Sequence, residues 1–158
     1  MSWDDNSAKF ARVLYDAGLR RGDVLAMLSG NTIECFELYW AAMRSGLHIT
    51  AINRHLAADE VAYIVNDSGA QALVVSAALR QAEAIVPLTG KVENRFAFGG
   101  AVAGYESYEA ALDSAGEPLA DRPRGAEMLY SSGTTGRPKG VKLPLPDRQV
   151  DGKYSEIV

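Results

Sequence analysis

The run Tyr130-Ser131-Ser132-Gly133-Thr134-Thr135-Gly136-Arg137-Pro138-Lys139-Gly140-Val141 gathers the residues of this sequence best suited to chemistry. Ser131, Ser132, Thr134 and Thr135 supply hydroxyl donors. Gly133 and Gly136 let the backbone turn and approach a ligand closely. Successive loop amides add further donors, so the segment suits phosphate oxygens, and Lys139 contributes a point charge. On composition alone a mobile turn is the commoner reading of such a segment. The order of residues is more specific. It is not a Walker loop, because Gly133 and Gly136 stand too close together and Gly140 follows Lys139. Ala126 to Tyr130 reads as a short strand, which puts the loop at a strand's C-terminal end, where open α/β sheets bind ligands.

The elements that must position this loop can be read from hydrophobic periodicity. Phe10, Val13, Leu14 and Ala17 share one face of a helix over 7–17, with Asn6 or Ser7 as its cap. Val24 to Leu28 reads as a buried strand. Asn31 and Glu34 are spaced to open a second helix with reciprocal capping. In that helix Ile33, Phe36, Trp40 and Met43 form a stripe expected to be core. His48 to Ile52 follows as a strand, Ala58 to Asp67 as a helix and Gln71 to Val75 as a strand. Gly18, Gly46 and Gly69 each end a helix that precedes a strand. This alternation predicts an α/β fold built on a mainly parallel sheet. Weaker signals suggest a helix at 77–85, a strand near 95–98 and a helix at 105–113. Gly116, Pro118 and Pro123 mark an exposed connector over 114–124.

Bulk properties exclude several classes. A chain of 158 residues, 47% hydrophobic and 23% charged, has ordinary globular values. A formal net charge of −4 with scattered basic residues leaves no footprint for nucleic acid. The single cysteine, Cys35, allows no intrachain disulfide and is expected to be a packed, inert thiol. No apolar run reaches membrane-spanning length and no cleavable leader opens the chain, so the expected location is cytoplasmic. His48 and His55 lack partners at metal-ligand spacing, and no metal site is expected. Gly99 to Gly104 does not have dinucleotide-loop spacing.

From Tyr130 to Val141 the sequence closely resembles the phosphate loop of the AMP-forming adenylating enzymes, the superfamily of acyl-CoA synthetases, luciferases and peptide-synthetase adenylation domains. Upstream, Asn31 with Glu34, Ala42 with Gly46, Ile52-Asn53 and Asp67-Ser68-Gly69-Ala70 resemble the same family's N-terminal region, in the same order. Fatty-acid–CoA ligases are the nearest kind. The family's third helix often opens with Thr-x-x-Glu, where this chain has Ala57-Ala58-Asp59-Glu60. Loss of the hydroxyl cap costs about 1 kcal/mol.

The resemblance implies an enzyme that joins a carboxylic acid, a fatty acid in this reading, to ATP, releasing pyrophosphate, and then passes the acyl group to CoA or a carrier protein. It implies ATP and CoA as cofactors, with Mg²⁺ on the phosphates. Ser131, Ser132, Gly133, Thr134, Thr135, Gly136 and Lys139 would hold the ATP phosphates, and no catalytic residue is assigned beyond an electrostatic role for Lys139. The expected organisation is partial βα units of the large N-terminal domain over 1–125, the strand and phosphate loop over 126–143, and a flexible tail over 144–158. The family's adenine, ribose and hinge motifs have no counterpart after Val141, and Lys153 does not replace its catalytic lysine. The chain therefore reads as an early portion of such an enzyme, with a non-catalytic remnant or interaction piece as the alternative. Sheet edges left open by absent segments predict self-association.

Overall fold

The computed structural model describes residues 2–131 and 137–147. Helices and strands alternate: α1 Trp3–Asp16, β1 Val24–Leu28, α2 Ile33–Met43, β2 His48–Ile52, α3 Ala58–Asp67, β3 Ala72–Ser76, α4 Gln81–Ala84, β4 Asn94–Phe98, β5 Glu106–Ser107, α5 Tyr108–Asp113, β6 Ala126–Ser131 and β7 Lys139–Lys142. A short 3-10 turn, Val86–Leu88, follows α4. The strands form one sheet in the order β5-β4-β3-β1-β2-β6-β7, parallel throughout except for the β6–β7 pair.

All five residues of β1 are buried, as are all five of β3, because helices cover both faces. Leu25, Met27 and Val74 point into one core with Phe10, Leu14, Leu38, Met43 and Tyr108 from α1, α2 and α5. Val24, Ala26, Leu28 and Val75 point into the other, against Val61, Ile64 and Val65 of α3. The alternation along each strand therefore sorts side chains between two apolar layers. β1 reads as uninterrupted hydrophobe because both its faces are covered, and its two edges are paired with β2 and β3. No helix among the described residues is long and apolar enough to cross a membrane.

Several local expectations shift. Helix α1 begins at Trp3, not near Ser7, because the Ser2 hydroxyl caps it by accepting the Asp5 amide at 3.2 Å. Ser7 is instead fully buried and donates to the Asp4 carbonyl, while Asn6 donates to Glu37 Oε2 at 2.8 Å. Helix α2 is preceded by Thr32, which makes no side-chain capping bond, so Asn31 lies one residue too early to act as cap. The expected core stripe of α2 is half correct. Trp40 and Met43 are buried, but Ile33 is 53% and Phe36 60% exposed, since the first turn stands at the sheet's carboxyl rim, where no described element covers it. At α3 the Ala57 amide donates to Glu60 Oε1 at 3.0 Å, so half of a capping box survives without the hydroxyl.

A buried carboxylate joins three helices. Glu37 is 4% exposed and accepts from Asn6 of α1 and from the Tyr108 hydroxyl of α5 at 2.9 Å. Both its oxygens are thereby satisfied, which a buried carboxylate requires. Burial, reinforced by the adjacent Glu37, pushes the Tyr108 phenol well above the usual tyrosine range.

Candidate functional site at the β6–β7 hairpin

Strand β6 enters the sheet through a gap that only glycine fits. A Cβ on Gly125 would lie 2.3 Å from the Ala42 carbonyl oxygen and 2.4 Å from that of Leu47. Those are backbone atoms of the α2–β2 turn and cannot swing aside. The Gly125 amide donates to Met43 O, and the Ala126 amide to Leu47 O, both at 3.0 Å. The pairing with β2 is brief: His48 opposes Ala126 and Ile49 opposes Glu127. From Met128 onward β6 pairs instead with β7, in the register Met128–Lys142, Leu129–Val141, Tyr130–Gly140 and Ser131–Lys139.

Of the residues expected to hold phosphate, Ser131 and Lys139 are thus brought directly opposite each other, at the loop end of an antiparallel hairpin, and both are exposed. Ser132, Gly133, Thr134, Thr135 and Gly136 lie outside the described residues. The strand before the loop is present where the sequence placed it, one residue longer. Hydroxyl and ammonium on adjacent strands form a donor pair suited to an anionic oxygen.

Helix α3 carries the hairpin's outer contacts. The Tyr130 hydroxyl donates to Asp67 Oδ2 at 2.7 Å. Burial and the neighbouring Asp67 carboxylate hold the Tyr130 phenol above the ordinary tyrosine range. The Tyr63 hydroxyl donates to the Pro138 carbonyl at 3.3 Å, and the Arg137 guanidinium lies over the Tyr63 ring, 4.6 Å from its centroid. On the opposite face the Tyr39 hydroxyl donates to Glu127 Oε1 at 3.4 Å.

The segment after β7 is also tied back. His48, buried at the start of β2, donates from Nε2 to the Leu143 carbonyl at 2.8 Å, which assigns its tautomer; Nδ1 is buried without a hydrogen-bond partner among the described residues. Arg21 reaches the Pro146 carbonyl at 3.5 Å. Cys35 is half-buried with its thiol against the Gly30 carbonyl, 2.7 Å away, in keeping with a packed side chain. Sequence reasoning passed over Tyr63 and named Tyr130, Asp67 and His48 without giving any of them a role at the hairpin. The one available signal was the spacing of four between Tyr63 and Asp67, which puts them on one helix face.

A mostly parallel sheet covered on both faces, ending in an antiparallel hairpin with Ser131 opposite Lys139, defines the class: an α/β protein of alternating helices and strands. The comparisons with known proteins give the family. The AMP-binding enzyme family model matches residues 2–146, and the chain belongs to that family. It is 33% identical over 135 residues to a 2-succinylbenzoate–CoA ligase of Geobacillus kaustophilus, covering 85% of this chain and 25% of the relative. It is 30% identical over 138 residues to a long-chain-fatty-acid–CoA ligase of Mycobacterium tuberculosis, covering 83% of this chain and 26% of the relative. The crystal structure of an anthranilate CoA ligase in complex with anthranoyl-AMP superposes with a TM-score of 0.75 at 25% identity, over 89% of this chain and 28% of that one. The chain therefore spans about a quarter of the length of the curated relatives it matches.

Proposed function

We propose that this chain carries the phosphate-binding portion of an ATP-dependent, AMP-forming acid–thiol ligase. In the full reaction a carboxylic acid, a fatty acid in our reading, and ATP form an acyl-adenylate and pyrophosphate, and the acyl group passes to CoA or a carrier protein. The carrying observation is the Ser131–Lys139 register pair at the mouth of the β6–β7 hairpin. No carboxylate among the described residues lies within ion-pairing distance of Lys139.

Among the described residues no three His, Cys, Asp or Glu side chains gather. Mg²⁺ carried on the phosphate oxygens would offset the charge that develops as pyrophosphate leaves. This chain's share is to hold those oxygens: Lys139 by charge, Ser131 by its hydroxyl, and Ser132 to Gly136 by hydroxyls and amides as the family resemblance implies. Acid–CoA ligase chemistry is supported by the names of the relatives, and the fatty-acid preference by the Mycobacterium tuberculosis ligase. The lone cysteine supports a cytoplasmic setting.

Pyrophosphate–ATP exchange with a panel of fatty acids tests the reading. Exchange above a Lys139→Ala control supports the ligase reading, and exchange no higher than that control rejects it for this chain. A second reading, nucleotide binding without turnover, would show ATP binding by calorimetry with no exchange. Leu129 and Val141, 47% and 57% exposed beside the outer edge of β7, support self-association. Light scattering should then report a mass that rises with concentration, and a constant monomer mass would contradict it.

A further inference from the structure

Both feet of the hairpin that present Ser131 and Lys139 stand on one stripe of α3. Tyr63 and Asp67 are one helical turn apart and face the same way. Asp67 holds the Tyr130 hydroxyl on the first strand. Tyr63 holds the Pro138 carbonyl, and its ring carries the Arg137 guanidinium, on the returning segment. These contacts fall on the residue immediately before Ser131 and on the two immediately before Lys139.

Gly140 completes the arrangement. A Cβ there would lie 2.7 Å from Tyr130 Cζ, 2.9 Å from its hydroxyl oxygen and 2.7 Å from Met128 Cε. The Tyr130 ring can therefore close over the second strand and still reach Asp67 only because residue 140 has no side chain. Elsewhere the hairpin joins the sheet through two register pairs, His48–Ala126 and Ile49–Glu127, at the far end of β6. The buried Met128 anchors it to the α3-side core, but an apolar contact does not set direction. The hydrogen bonds do, because they require alignment.

We propose that Tyr63, Asp67 and Tyr130 are positioning residues. Together they form a platform on α3 that sets where the Ser131 hydroxyl and the Lys139 ammonium meet phosphate oxygens, without touching the nucleotide themselves. The proposal rests on the phosphate-binding reading above and names what aims that site.

Calorimetric titration of the chain with Mg-ATP and with AMP tests it, using Tyr130→Phe, Asp67→Ala, Asp67→Asn and Tyr63→Phe. Losing one aligned hydrogen bond should weaken ATP binding about five-fold in Tyr130→Phe and Asp67→Ala. AMP, which lacks the outer phosphates, should give the same response with the variants as with the wild-type chain. Asp67→Asn keeps an acceptor for Tyr130 and should restore most of the ATP affinity. Equal loss for ATP and AMP, or no loss for either, would overturn the proposal. Lys139→Ala tests the phosphate reading separately: unchanged ATP affinity there removes that reading whatever the α3 variants do. The platform is also read without nucleotide, from amide hydrogen exchange at Ser131, Arg137 and Lys139. Exchange at these amides should quicken in Tyr130→Phe and Tyr63→Phe while β1 and β3 stay protected, and unchanged exchange at them would likewise overturn it.

Discussion

The centre of the sheet and the β6–β7 hairpin hold their strands by different physics. β1 lies between β2 and β3 with every side chain buried, so its position is over-determined by apolar contact on two faces. The hairpin shares two register pairs with β2 and then leaves it, and Leu129, Val141 and Leu143 remain exposed. Its orientation depends on one backbone gap at Gly125 and a few directed polar contacts: Tyr130 to Asp67, Tyr63 to Pro138 and His48 to Leu143. A buried scaffold thus carries a hairpin that is held by a few directed contacts. Functional residues are commonly carried on loops placed by such scaffolds.

The contrast can be broken most directly with one residue type in both regions. Leu25→Ala, at a fully buried site on β1, should cost about 3 kcal/mol, whereas Leu129→Ala should stay within about 0.5 kcal/mol. Similar shifts in denaturant unfolding would show that the hairpin is core after all. Gly125→Ala sharpens the comparison at the junction. Its methyl group meets backbone oxygens, so we expect about 2 kcal/mol of destabilisation, with hydrogen exchange faster in β6 than in β1.

A smaller effect belongs to the helix layer behind the centre. Tyr108→Phe leaves one oxygen of buried Glu37 without its donor and should cost about 1 kcal/mol in thermal or chemical unfolding. Smallest is the alkaline response of the hairpin. The folded protein holds the Tyr130 phenol above its ordinary value of 10.0, so the protonated form is the one the fold favours. Its contribution is then fully present below that value and is lost only as pH rises above it towards the raised folded value. Tyrosinate absorbance should show one fewer late-titrating phenol in Tyr130→Phe, and an unchanged titration would remove the Asp67 contact from the account.

Much of the fold was legible because burial leaves a period in sequence. The strand at Val24–Leu28 and the helix at Ala58–Asp67 were read with the boundaries the structure has. Helix α1 was started too late, because its cap is Ser2, well ahead of the first apolar-periodic residue. Phe36 was taken for core since periodicity shows which residues share a face, and says nothing of whether an element covers that face. Ser131 and Lys139 were singled out from residue type and order, and the structure puts them in register, while Tyr63 was passed over and Asp67 and His48 were noted without a role at the hairpin. They look like ordinary helix and strand residues until the chain brings them to the hairpin from 63 to 95 positions away.

Local order of residue types therefore determined the α/β rhythm, the family and the identity of the hydroxyl–lysine loop, because each depends on neighbours along the chain. The tertiary structure alone decided that β6 turns away from β2 after Glu127, that Ser131 faces Lys139, and that α3 supplies the supports beneath them. Those contacts join residues far apart in sequence, and their strength depends on distance and alignment in space.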